Sequence, residues 1–181
     1  MLNNKSLYQR LLGDSYEQLP QTLQALHLLN APKAYQGISR VEVGKHPLAK
    51  LMVKIVSLPK AGEQVPLRVQ FEQTVQVEIW QRYFDQQLFV SKQWQQGDLL
   101  AEKVGPLTFF FRVCVLDNSL QLHLQKIRCL GLPLTWCGLK ISGKEWQENE
   151  LFHFLVQVSM PLLGEIISYQ GQLEVEPQVR Q

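Results

Sequence analysis

From Val65 to Glu176 the chain runs in short stretches of alternating apolar and polar residues, separated by turn residues. Period-two alternation puts one face of a stretch in a core and the other in water, so each stretch reads as a half-buried strand. The runs are Val65–Glu72, Gln76–Phe84, Leu88–Gln95, Leu99–Val104, Leu107–Leu116, Leu139–Gln147, Leu151–Met160 and Glu165–Glu176. Between the fifth and sixth of these, Leu120, Leu122 and Leu124 alternate with Gln121, His123 and Gln125. Gly97-Asp98, Gly105-Pro106 and Asp117-Asn118-Ser119 supply turn chemistry. Sequential strands at this spacing favour an antiparallel meander. A sheet of roughly nine or ten strands must curl or close. In the most apolar run, Phe109, Phe111, Val113 and Val115 share one parity. That face is placed inward.

Before residue 62 the spacing turns helical. Ser6 to Leu12 reads as a short helix stopped by Gly13. Asp14 resembles an N-cap with Glu17 as its box partner. Leu19, Leu23 and Leu26 then share a face, and Ile38, Val41 and Val43 suggest a first strand. Pro47 opens a further helix, where its missing N–H costs nothing. Leu48, Leu51, Met52 and Ile55 fall on one side of that helix, Lys50 and Lys54 on the other. The fold expected is α+β and one domain over residues 1–181. A helical region with a first strand covers about 1–62, and antiparallel strands cover about 65–176. The N-terminal helices would plug or cover one strongly bent, mostly antiparallel sheet or incomplete β-barrel.

Composition narrows the function classes. A chain of 181 residues with 45% apolar and 19% charged residues is long enough and apolar enough to bury a core. The formal net charge of +2 gives no reason to expect nucleic acid as a partner. Three cysteines, Cys114, Cys129 and Cys137, make an odd count without metal-ligand spacing. They read as reduced, mostly buried thiols in a cytoplasmic protein. The first twenty residues lack the unbroken apolar stretch of a signal peptide or anchor, and no transmembrane segment is expected. No two of His27, His46, His123 and His153 have metal-ligand spacing, so no metal is expected and each histidine reads as structural. The chain has no P-loop, no Gly-x-Gly-x-x-Gly run and no Gly-x-Ser-x-Gly elbow, and no cofactor is expected. Ser142-Gly143 reads as a turn.

One constellation stands out. Glu78, Trp80, Arg82 and Phe84 alternate along one run, so in a strand they share a face. A carboxylate and a guanidinium flanking an indole suit a pocket for a polar head group. The same pattern also fits an inward salt bridge or an exposed ladder. Glu102, Glu145 and Tyr169 join the candidates if they face the same side. Lys50 and Lys54 are candidates for a lid or for contact with an anionic surface. The bland alternative for them is the solvated side of a core-packing helix.

Several spaced segments resemble a known bacterial family. They are Leu7-Tyr8-Gln9-Arg10-Leu11-Leu12-Gly13, His46-Pro47-Leu48-Ala49, Glu78-Ile79-Trp80-Gln81-Arg82-Tyr83-Phe84, Gly131-Leu132-Pro133-Leu134 and Met160-Pro161-Leu162-Leu163-Gly164. In this order they resemble the domain of unknown function family 4166, over nearly the whole chain. The resemblance implies no catalytic residues, because the family has no established activity. It also implies that relatives can carry the domain behind a dehydrogenase-like domain, and such a protein is one expected partner. Three functions remain open. The first is a non-catalytic binding module with a cavity for an apolar or amphipathic small molecule. The second is an enzyme using Glu78, Arg82 and Glu145. The third is an accessory domain for the dehydrogenase-like partner.

Overall fold

The computed structural model describes residues 5–29, 34–134 and 138–177. Three short helices precede or interrupt the first strands: α1 (Leu7–Leu12), α2 (Gln21–Leu26) and α3 (Pro47–Ile55). A 3-10 helix, Gly13–Gln18, joins α1 to α2. Eleven strands follow or flank them: β1 (Ala34–Val43), β2 (Gly62–Gln73), β3 (Val77–Phe84), β4 (Gln87–Gln96), β5 (Leu99–Val104), β6 (Leu107–Leu116), β7 (Ser119–Cys129), β8 (Leu132–Pro133), β9 (Lys140–Glu148), β10 (Leu151–Met160) and β11 (Gly164–Val175).

Every pairing is antiparallel, and the sheet closes on itself. β1 to β7 pair in chain order; β7 then pairs with β9, β9 with β10, β10 with β11, and β11 with β1. The result is a ten-stranded closed barrel. The two-residue β8 is an extra strand on the end of β7. Closure removes the two free edges that an open sheet would expose. Its narrowest seam is β7 on β9, with four residue pairs from Leu120↔Glu145 to His123↔Ser142.

Alternation decides what fills the barrel. Leu67, Val69 and Phe71 of β2, Phe109 and Phe111 of β6, and Phe152 and Phe154 of β10 are buried in one continuous core. Val113 and Val115 pack against it, so the β6 face assigned inward from the sequence is inward. The outer faces carry Arg40, Glu72, Lys92, Arg112 and Lys144, all exposed. That is the reverse of a membrane-spanning barrel, whose outer band is apolar. Among the described residues no helix is long and apolar enough to cross a membrane.

The two ends of the barrel are closed differently. α1 and α2 form a plug, with Leu7, Tyr8, Leu23, Leu26 and His27 at 0–1% exposure. A capping box starts α1: Ser6 Oγ accepts from the Gln9 N–H at 3.3 Å, and Gln9 Oε1 accepts from the Ser6 N–H at 2.8 Å. The capping box expected at Asp14 and Glu17 does not form. That segment is 3-10, and its cap makes no side-chain hydrogen bond.

α3 lies over the opposite end, which we call the mouth. Gly44 sets its approach, because a Cβ there would overlap the Glu165 carbonyl oxygen. His46 Nδ1 then accepts from the Leu48 N–H, and Pro47 takes the first helical position.

Three local expectations need correction. α3 buries Ala49 and Val53, not the expected Leu48, Leu51 and Ile55 stripe, because Met52 and Val56 turn with them toward the barrel. Leu48, Leu51 and Ile55 are 52%, 51% and 71% exposed. Ile38, Val41 and Val43 lie in β1, the first strand expected, with Ile38 pointing outward because its parity is opposite to that of Val41. Ser142-Gly143 lies inside β9, paired on both sides, and is no turn. Cys114 and Cys129 are free and half-buried instead of mostly buried, and Cys137 lies outside the described residues.

Candidate functional site

The site begins with strand parity. Glu78, Trp80 and Arg82 point into the barrel from β3, opposite Gln73, Phe71 and Val69 of β2. On the other side Gln93, Ser91 and Phe89 of β4 face the same three residues and also point inward. Glu102 of β5 pairs with Gln93, and Glu145 of β9 pairs with inward Leu120. Tyr169 of β11 pairs with buried Val41. All six side chains singled out from the sequence therefore enter one interior.

Arg82 is the hub. Its guanidinium lies 4.8 Å from the Trp80 ring centre and 5.7 Å from that of Phe89. It donates to Ser91 Oγ at 2.8 Å and stands 3.7 Å from Glu102 Oε1. Its carboxylate partner is thus Glu102, not its strand neighbour Glu78. Gln93 Nε2 also donates to Glu102 Oε1, at 3.1 Å, and the Tyr8 hydroxyl donates to Gln93 Oε1 at 3.2 Å. The Tyr8 ring packs at a tilt against His27, with centres 3.8 Å apart. His27 Nε2 is hydrogen-bonded to Glu145 Oε2 at 2.7 Å. One polar chain therefore runs from Glu145 through the plug to Arg82.

Tyr8, His27, Ser91 and Gln93 were not among the residues picked out for a site. Ser91 and Gln93 share the parity of Phe89, which is a readable signal. Tyr8 and His27 sit on short plug segments, where no strand parity operates.

Glu78 occupies a different place. It is fully buried, and the Trp80 indole N–H donates to its Oε2 at 3.1 Å. Its Oε1 lacks a hydrogen bond of good geometry, although the Gln73 amide across the ladder helps to stabilise the charge. Burial raises its pKa most; nearby Glu145 adds to the rise, while His27, Trp80 and Gln73 oppose it. Burial likewise pushes Tyr169 up to about 12 and Tyr8 well above the ordinary phenol value, so both phenols stay neutral.

Toward the mouth the interior becomes apolar. It leaves a space of about 180 Å³ lined by Phe84, Val104, Leu107, Ile141, Val158 and α3's Met52, among others. Trp80, Arg82, Glu102, Glu145 and Tyr169 also line this space; Glu78 does not. Lys50 and Lys54 are exposed on α3 and stay outside it. Among the described residues no three His, Cys, Asp or Glu side chains converge as a metal site.

A family model described as Domain of unknown function (DUF4166) matches residues 19–173, which hold every strand but the end of β11 and every site residue named above except Tyr8. No curated protein matches the chain.

Proposed function

The chain belongs to the family described as Domain of unknown function (DUF4166); kinship supplies no activity, and we propose from the site itself that the protein is a non-catalytic binding module for an amphipathic small molecule. The observation that carries this reading is an apolar space ending on a polar floor, inside a barrel covered by a helix. The apolar part of the ligand lies among Phe84, Leu107 and Met52, and its polar group meets Arg82, Glu102 and Glu145. The space of about 180 Å³ is smaller than most drug-sized pockets, about 300–1,000 Å³. A single alkyl chain or one ring fits, and anything larger requires α3 to move.

Charge narrows the head group further. Arg82 already stands near Glu102, and Glu145 adds a second carboxylate that only a protonated His27 would balance. An ionised Glu78 would make the floor more negative still. Among the described residues that line the space, Arg82 already faces Glu102 and Lys144 turns its side chain to the outside, so the head group is a hydroxyl, an amide or an amine.

Two other readings have less support. Acid–base chemistry by Glu78, Arg82 and Glu145 would need Glu78 to reach the substrate, yet Glu78 does not line the space. An accessory role beside a dehydrogenase-like protein gives no reason for an open interior.

The test uses protein purified without detergent, first by native mass spectrometry and then by titration with hexyl to dodecyl alcohols, amines and carboxylates. Intrinsic fluorescence reports binding, with Trp80→Phe as the control. The expected result is saturable binding of alcohols or amines. Carboxylates of equal length should bind about tenfold more weakly or worse, since like charges are juxtaposed. No retained mass and no saturable binding in any series would overturn the proposal.

A further inference from the structure

The strand ends place a second set of residues together. Antiparallel pairing brings the end of β1, the start of β2, the β3–β4 and β5–β6 turns, the end of β7 and the β10–β11 turn to one end of the barrel, the mouth. Large apolar side chains stand in solvent there. Leu162 is 92% exposed, Leu130 81% and Leu132 71%, beside the exposed Leu48, Leu51 and Ile55 of α3. Single exposed leucines are ordinary, but several gathered at one end of a barrel mark a contact surface.

Charge says what that is. Lys45, Lys50, Lys54, Lys60 and Lys140 are all exposed at the mouth. The exposed acids there are Glu42, Glu63, Asp85 and Glu165, and Glu42 and Glu63 share Arg40, at 2.9 Å and 3.1 Å. The plug end runs the other way, with Asp14, Glu17, Asp98, Asp117, Glu148 and Glu150 exposed against exposed Lys5 and half-buried Arg10. The apolar tips thus coincide with the basic end of an electrically lopsided barrel.

We propose that the mouth docks on an anionic phospholipid bilayer. Leu48, Leu51, Ile55 and the loop leucines enter the headgroup region, and the lysines meet lipid phosphates and carboxylates. Interfacial helices combine these two features, an apolar side that enters and a basic side that stays wet. In this orientation α3 lies between the bilayer and the barrel interior. The docking surface goes beyond the cavity reading and does not depend on it, since vesicle binding can be measured whether or not a small molecule is retained.

The experiment is flotation of the whole protein with phosphatidylcholine vesicles, with and without phosphatidylserine. Binding should require phosphatidylserine. It should also fall steeply as salt rises from about 0.1 M to 1 M, where the screening length drops from about 10 Å to about 3 Å. Each basic residue near an anionic surface is worth about fivefold in partitioning. The double variant Lys50→Glu/Lys54→Glu should therefore lose about tenfold or more. Leu51→Asp/Ile55→Asp and, on a separate loop, Leu162→Asp should weaken binding with unchanged thermal midpoints, because these side chains are exposed. No binding to phosphatidylserine vesicles would overturn the proposal. So would binding that is indifferent to all three variants, or leucine variants that instead break up an oligomer in the absence of vesicles.

Discussion

The Glu78 carboxyl binds a proton more tightly in the folded barrel than in the open chain, because burial penalises its charge more than His27, the Trp80 N–H and Gln73 relieve it. A raised folded pKa has a definite sign. The stability it carries is complete below the ordinary carboxyl range, about pH 4, and is lost as pH rises through the raised value. Glu78→Gln keeps an acceptor for the Trp80 indole and removes the titration. Denaturant unfolding of the two proteins across pH 4–8 should show the variant gaining on the parent as pH rises, by at most about 1.4 kcal/mol per pH unit. A pH-independent difference would show that Glu78 ionises without penalty. Arg82 illustrates the other side of burial. Its charge is tolerated inside because Glu102, Ser91 and two aromatic faces surround it.

Among the elements, β9 is held less evenly than its neighbours. It pairs with β10 over nine residues but with β7 over four. β10 has nine-residue ladders on both sides. Local opening should therefore favour β9. Hydrogen exchange followed by mass spectrometry is expected to label residues 140–148 about tenfold faster than 151–160, a difference of about 1.4 kcal/mol in opening free energy. Equal protection would mean that side-chain packing, not the ladder, holds β9. The same contrast explains what the sequence made legible. Strand boundaries were readable because alternation and turn residues repeat along the chain, and parity grouped Glu78, Trp80 and Arg82 on one face without saying that the face is the inner one. α3 was misread because its apolar residues spread over more than one side of the helix, and spacing does not say which side meets the barrel. Tyr8 and His27 were missed as site residues because their position depends on how the plug docks, which is a tertiary fact. Closure was only half visible, since nothing local to β1 or β11 announces that they pair.

At the scale of the whole molecule that pairing governs how the barrel opens. β1 and β11 are far apart in sequence yet run antiparallel in register, from Tyr35↔Val175 to Val43↔Ile167. The handles chosen for a mechanical experiment therefore decide the outcome. Pulled from Ala34 and Val175, adjacent at one end of the ladder, the seam unzips and loads one or two hydrogen bonds at a time. Pulled from Val43 and Val175, at opposite ends, it is sheared, and the whole ladder bears load together. Optical-tweezer traces of the same protein should show markedly lower rupture forces in the first geometry. Equal forces would place the mechanical barrier away from this seam. A barrel with one thermodynamic stability would thus have two tensile strengths, set by the direction in which it is gripped.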